Sequence, residues 1–299
     1  MRSGLRQALG VGRFIWFHRA NRGRRVRALA RAVAWQAFKR ATGRHWDLRV
    51  FGMRLRCYPD STSASLALYC HGYPDYHEMR FMQDYLRPGD GFVDVGANVG
   101  VYTLAAASLV GREGRIDALE PDRRAGVRLR ENLELNGLTQ VFVHDVAAGA
   151  RQGTVRFLSG RDTMNRIGTA RDTAPTVEAA CVRLDDVLVG RSYPMGKMDI
   201  EGAEPLALQG ARRMLGESNP PVWLLEMNGL LRDLGFTEEG LAEWLRERGY
   251  DLAVYDADSR DLRFCDKPWM GRSNVLAISR PGRDFVLERI IAGPRRDLR

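Results

Sequence analysis

The stretch Phe92-Val-Asp-Val-Gly-Ala-Asn-Val-Gly-Val-Tyr-Thr103 limits what this chain can fold into more than any other. Phe92, Val93, Asp94 and Val95 read as a short buried parallel strand, Gly96 and Gly100 bracket a tight turn, and residues 101–110 supply an apolar helix. The glycines let the backbone take positive φ and come close to a ligand. The unpaired N–H groups and positive dipole end of the helix then favour an anionic or carboxylate-bearing group. The expected fold is α/β, with parallel strands alternating with helices.

Two familiar ligands are disfavoured by the residues in the turn. A dinucleotide fingerprint needs a middle glycine where Ala97-Asn98 stands, and a phosphate-binding loop needs Lys-Ser/Thr where Val101-Tyr102 stands. A nicotinamide oxidoreductase is therefore the weakest reading. What remains is Asp-x-Gly-x-Asn-x-Gly over residues 94–100, with Glu120 closing the next predicted strand, 115–120, where a carboxylate can hold both ribose hydroxyls. That pattern resembles the S-adenosylmethionine site of Rossmann-like methyltransferases.

The length of 299 residues suits one core of roughly 200 residues with an appendage. Cys57, Cys70, Cys181 and Cys265 show no metal-binding spacing, so free thiols in a reducing, cytoplasmic compartment are expected. The net charge of +9 is unevenly placed: residues 1–46 hold 12 Lys and Arg and no Asp or Glu, leaving 34 basic against 37 acidic residues in the remainder. A face that gathers phosphates should itself be basic, so nucleic acid is a disfavoured substrate.

Residues 1–46 form a basic arm. Phe14-Ile-Trp-Phe17 precedes a segment in which Val26, Leu29, Val33 and Ala37 recur at helical spacing among arginines, which predicts an amphipathic basic helix. The apolar run is too short to span a bilayer and lacks a small-residue cleavage site. Two readings stand: peripheral attachment to an anionic membrane at its inner face, or to a partner enzyme, and packing on the core through Trp35 and Phe38. Residues 47–90 are expected as a cap, a hairpin turning at Gly52 and a helix over 75–86, in which His71, His77 and Glu78 are candidates to face substrate.

Residues 91–281 are expected to form the catalytic domain and residues 282–299 a basic tail. A helix over 122–136 and a strand over 140–145 follow Glu120, and Asp145 either contacts adenine or caps a turn. Strands over 154–158 and 176–184 form an inserted hairpin, whose polar loop, with Gly160, Arg161, Asn165, Arg166 and Gly168, is the candidate acceptor-binding loop. A strand over 221–226 ends on Glu226, a helix runs over 237–248, and strands over 251–255 and 274–278 form an antiparallel pair at one edge. Asn219-Pro220-Pro221 imitates a motif of nucleobase amino methyltransferases, but Val222 stands at its aromatic position and the triplet precedes a strand.

Gly196-Lys-Met-Asp-Ile-Glu-Gly-Ala-Glu204 is the second chemical stretch. If the strand runs extended through it, Lys197, Asp199 and Glu201 share one direction. In an open α/β sheet that point lies beyond the strand ends, beside the strand starting at Phe92. The alternative is a salt-bridge cluster at the sheet.

Together these residues resemble the FkbM family of S-adenosylmethionine-dependent methyltransferases. The resemblance rests on Leu86-Arg-Pro-Gly-Asp90, residues 94–103, Glu120-Pro121, Asn132 with Asn136, Leu184-Asp-Asp186, and residues 197–204, and spans about residues 80 to 280. It implies a class I methyltransferase fold: a mostly parallel seven-stranded sheet with helices on both faces, here with an inserted hairpin and an N-terminal helical arm. It implies S-adenosylmethionine as cofactor, at Asp94, Gly96, Asn98, Gly100, Tyr102, Thr103, Glu120 and Asp145. It also implies O-methylation of a sugar, glycan or polyketide hydroxyl. Asp199 and Glu201 are the candidate bases, with Lys197 orienting a carboxylate or the acceptor; alternatively, Asp199 and Glu226 supply oxygens to a divalent ion. The rivals are an RNA methyltransferase that uses the basic arm, and a non-catalytic nucleoside-binding module, which would gain nothing from the Lys197, Asp199 and Glu201 row.

Overall fold

The computed structural model describes residues 2–158, 166–168 and 176–293, with side chains from residue 9 onward. The arm is two helices, not one: α1 (Arg2–Phe17) and α2 (Arg25–Thr42). Gly23, at φ 78°, lies in the turn between them. The turn is fastened by Asn21, fully buried, whose Nδ2 donates to Ile15 O at 2.9 Å and Tyr69 O at 3.1 Å. Trp35 is buried and donates from Nε1 to Ser65 Oγ at 3.1 Å, so this side of α2 does pack on the core. No described helix is long and apolar enough to cross a membrane.

The cap follows as a hairpin of β1 (Trp46–Val50) and β2 (Met53–Cys57), turning through Phe51 and Gly52, both at positive φ. Next come α3 (Thr62–Tyr69), begun by a Ser61 side chain that accepts from Ala64 N, and α4 (Tyr76–Tyr85). The central unit opens with β3 (Gly91–Val95), buried throughout, and α5 (Val101–Val110), entered through a left-handed Gly100. It continues with β4 (Arg115–Leu119), α6 (Arg123–Glu134) and β5 (Val141–His144). Asp122 starts α6 by accepting from Ala125 N at 2.7 Å.

The insertion is larger than a hairpin. β6 (Ala147–Ala148), β7 (Gly153–Leu158), β8 (Arg166–Ile167) and β9 (Val177–Val182) form a separate sheet in the order β6-β9-β7-β8. The antiparallel β7 and β9 are the two strands expected; β6 and β8, two residues each, are too short to leave a periodic signal. The chain then returns through α7 (Leu184–Val187), β10 (Met195–Met198), α8 (Glu204–Gln209), α9 (Arg212–Gly216) and β11 (Val222–Glu226). It ends with α10 (Glu238–Glu247), β12 (Tyr250–Asp256), β13 (Asp261–Phe264), β14 (Asn274–Ser279) and α11 (Arg283–Ala292).

The main sheet has eight strands, one more than expected, in the order β13-β12-β14-β11-β10-β3-β4-β5. β5, β4, β3, β10 and β11 are parallel, β14 inserts antiparallel between β11 and β12, and β13 pairs outside β12. The extra strand, Asp-Leu-Arg-Phe, is charged and largely exposed, which hid it from a reading based on buried strands. Consecutive strand residues enter opposite cores, Phe92 and Leu224 on one face, Val93 and Leu225 on the other. α4, α5, α6 and α11 cover the first face, with the arm, and α8, α9 and α10 the second. Apolar residues on both sides of each strand are what a doubly covered parallel sheet requires.

Candidate functional site

Strand register brings the chemistry together. Val95 is paired with Leu119, Asp94 with Lys197, and Met198 with Leu225. One residue further along, Gly96, Glu120, Asp199 and Glu226 leave four adjacent parallel strands side by side. The strand order reverses between β3 and β10, and a crevice opens beyond the carboxyl ends there. It forms a cavity of about 420 Å³, walled by Ala97, Asn98, Glu120, Lys197, Asp199, Glu201 and Glu226 among others. Asp75 from the cap, Phe157 and Ile167 from the second sheet, and Phe14 from α1 complete the wall.

At one end, the backbone around Gly96 holds a carboxylate. The N–H groups of Gly96 and Ala97 both donate to Leu119 O, at 2.9 and 3.0 Å. Gly96 takes φ 81°, and a Cβ there would lie 2.0 Å from Asp199 O, so only glycine lets the two loops meet. Asn98, at φ 50°, donates its N–H to Glu120 Oε2 at 2.7 Å, and Asp122 N donates to Glu120 Oε1 at 2.7 Å. Burial pushes the Glu120 carboxyl up to about 7, against the pull of these two N–H groups. Each oxygen still has a second lone pair for a hydroxyl donor.

Asp94, Thr103 and Gly100 stand behind this end, outside the cavity wall. Asp94 is fully buried, accepts from Thr103 Oγ1 at 2.6 Å and lies 3.6 Å from Lys197 Nζ. Gly100 lies against α6, where a Cβ would come within 2.5 Å of Leu129 Cδ1. Gly96, Asn98, Tyr102 and Glu120 do line the cavity. Asp145 does not: its exposed carboxylate takes two 2.8 Å hydrogen bonds from Arg130 on α6, and Val146 and Ala147 reach the wall in its place. A charged side chain at a strand end follows the nearest guanidinium, and the sequence did not show which way that lay.

The other end is acidic. β10 stops at Met198, and the chain turns through Glu201 at φ 55° and Gly202 at φ 97°, so the extended alternation expected through residue 201 is absent. Lys197, Asp199 and Glu201 nevertheless all reach the cavity. Lys197 Nζ sits 3.2 Å from Asp199 Oδ2, donates to Gly96 O at 3.3 Å and lies 5.0 Å from the Tyr102 ring centroid. Burial alone would lower the ammonium's pKa, but Asp199 and Asp94 outweigh it and raise it. One carboxylate oxygen from each of Asp199, Glu201 and Glu226 lies within 4.8 Å of the others. Burial and the neighbouring Asp199 push Glu201 up to about 7. Burial and the three carboxylates around it, Asp199 first, push Glu226 much further up. Such a trio can share protons or hold a divalent cation.

Asp75 escaped the sequence reading because it stands at a helix boundary. Its Oδ2 accepts from Tyr102 Oη at 2.9 Å, tying the cap to α5 across the cavity wall. The three cap residues singled out instead do not line the cavity. His71 is hydrogen-bonded to Arg31, His77 Nδ1 accepts from Ala257 N, and the Glu78 carboxyl is pushed up to about 7 by burial. Of the expected acceptor loop, Gly160, Arg161 and Asn165 lie outside the described residues; Ile167, between Arg166 and Gly168, reaches the wall.

A parallel sheet that reverses at β3 and β10, with a glycine turn there and a carboxylate one strand away, is a Rossmann-like architecture, the one that class I methyltransferases share. The sequence profile of the Methyltransferase FkbM domain matches residues 94–252, more than half of the chain, and the chain belongs to the FkbM family of S-adenosylmethionine-dependent methyltransferases. No curated protein matches it in sequence. Similar solved structures include an S-adenosylmethionine-dependent O-methyltransferase from Thermotoga maritima, 14% identical over 68% of this chain and 63% of that one, at a TM-score of 0.38. Aeropyrum pernix fibrillarin with bound S-adenosylmethionine is 13% identical over 67% and 73%, at 0.36. An rRNA methylase from Streptococcus thermophilus is 10% identical over 68% and 93%, at 0.40.

Proposed function

We propose that this enzyme transfers the methyl group of S-adenosylmethionine to a hydroxyl of a sugar, glycan or related metabolite, acting in the cytoplasm. The observation that carries the reading is a single cavity with a backbone-held carboxylate, Glu120, at one end and the Asp199, Glu201 and Glu226 carboxylates at the other. The residues fit the cofactor. Glu120 keeps lone pairs for two ribose hydroxyls, and Val101 and Tyr102 open α5 at the wall, presenting its positive end to a carboxylate. The acidic end favours a sulfonium cation. Four free thiols among the described residues support the cytoplasmic assignment.

Bound S-adenosylmethionine supplies an electrophilic methyl group. Glu201 would take the hydroxyl proton as the acceptor oxygen gains the methyl group, the donor's sulfur leaving with the electron pair of the C–S bond. With its pKa near the working pH, Glu201 suits that task better than an ordinary carboxylate. Asp199 is oriented by Lys197 at the same end of the cavity as Glu201. Positioning does much of the work in such an in-line displacement. Outside residues 1–46 acidic residues outnumber basic ones, which favours a neutral hydroxyl acceptor over RNA.

The test is incubation with methyl-labelled S-adenosylmethionine and a panel of glycans and hydroxylated metabolites, with RNA as control and with EDTA in parallel. Label should enter a hydroxyl acceptor, resist EDTA and vanish in Asp199→Asn, while S-adenosylhomocysteine affinity stays within a few-fold. Label in RNA alone overturns the acceptor class. Loss on EDTA addition, restored by a divalent cation, assigns the three carboxylates to a metal instead.

A further inference from the structure

The arm remains unexplained by the methyl-transfer reading. On α1, Leu9, Arg13, Trp16 and Phe17 recur at the spacing of one helical face, and all four are exposed, Leu9 by 65% and Phe17 by 68%. Ile15, on the other side, is 1% exposed and holds the helix to the core. A monomer in water gains nothing by showing two large aromatic rings and a leucine on one face. The rings lie among cations: the Arg13 guanidinium is 6.0 Å from the Phe17 ring centroid and the Arg25 guanidinium 5.6 Å from that of Trp16. Residues 1–46 contain 12 Lys and Arg and no Asp or Glu to oppose an anionic partner.

We infer that this face of the arm docks on an anionic lipid bilayer, with the aromatic side chains entering the headgroup boundary and the arginines pairing with lipid phosphates. Trp16, with its polar indole N–H, and the wholly apolar Leu9 and Phe17, flanked by arginine, are what an interfacial helix needs, and the charge and apolar area act together. Nucleic acid would use the same arginines but would leave Leu9 and Phe17 in water. The arm is fastened to the core by the buried Asn21 and by Trp35, and this face of α1 points away from that attachment. Phe14 lines both the cavity and the shallow groove formed with Gly10, Arg13, Phe17 and His18. The docked face is thus contiguous with the wall of the cavity. What that cavity holds rests on the methyl-transfer reading; the docking itself does not.

The full chain is sedimented with vesicles of phosphatidylcholine alone and of phosphatidylcholine with phosphatidylglycerol, with RNA binding measured at the same salt. The same assays are run on a Leu9→Ser, Phe17→Ser variant whose fold is checked by S-adenosylhomocysteine calorimetry. The expected result is at least tenfold tighter binding to the anionic vesicles, lost at least tenfold in the variant with its calorimetry unchanged. Equal binding to both vesicle types, equal binding by the variant, or tighter binding to RNA than to anionic vesicles overturns the inference. Vesicle binding by a wild-type chain that fails to bind S-adenosylhomocysteine overturns the cofactor reading and leaves the docking intact.

Discussion

Burial raises the Glu120 and Glu201 carboxyls alike to about 7, yet they stand in different surroundings. Two backbone N–H groups fix Glu120 in one orientation, whereas Glu201 has other carboxylates for neighbours. Replacing Glu120 by Ala should therefore weaken S-adenosylhomocysteine binding at least tenfold, about 1.4 kcal/mol or more, as calorimetry would record. Glu201→Gln should leave that affinity unchanged, lower kcat about 10²-fold or more, and remove an ionisation near pH 7 from the pH profile of kcat/KM. The Gly96, Asn98 and Glu120 positions were legible in the sequence because backbone spacing alone places them. Asp145 and Asp75 were not, since a side chain's direction depends on partners far away in sequence, here Arg130 on α6 and Tyr102 on α5.

The asparagines Asn132 and Asn136, one turn apart on or just beyond α6, show why an element needs more than its own pattern. Asn132 Oδ1 accepts from Arg56 N at 2.8 Å and its Nδ2 donates to Val99 O at 2.8 Å. Asn136 does the same for both backbone groups of Arg54, at 2.7 Å each. Two side-chain amides thus close the outer edge of β2 and anchor the turn leading into α5. Asn132→Leu should cost about 1–3 kcal/mol by stranding the buried Val99 C=O and the half-buried Arg56 N–H, seen as a drop in thermal midpoint with little change in the unfolded baseline. Asn136→Ala, at a more exposed position, should cost less. The hairpin and α6 could each be read from residue order, but their joining could not, because nothing in a local window says which amide meets which edge. The two-helix arm was missed for a related reason: what fastens its turn is Asn21 meeting α3, 48 residues later.

Across the molecule, buried carboxyls and half-buried histidines pull stability in opposite directions with pH: burial lowers His18, His71 and His77, whose contribution is lost as pH falls, but the raised carboxyls are more numerous and set the direction. Glu78 is raised to about 7 and Glu204 to about 8, both chiefly by burial, from an ordinary value of 4.5. A raised carboxyl lends stability that is complete below 4.5 and is lost as pH climbs through its folded value. Asp117, held near 2 by hydrogen bonds from His144, Arg115 and Tyr193 despite burial, acts oppositely: its contribution is present above about 3.8 and is lost as pH falls through about 2. The ligand-free enzyme should accordingly melt at a higher temperature at pH 5 than at pH 8, by scanning calorimetry. Glu204→Gln keeps an acceptor for Ile200 N, which Glu204 Oε1 holds at 2.8 Å, and should raise the melting temperature at pH 8 and flatten the profile. A pH 8 value equal to or above that at pH 5 would contradict this account.

Phe14 is at once inner lining and outer skin, and it belongs to a segment outside the matched methyltransferase domain. One wall of the cavity is therefore built by a helix that the matched domain does not include. A change in that first helix can reshape the rim of the cavity while every residue around Gly96 stays as it is.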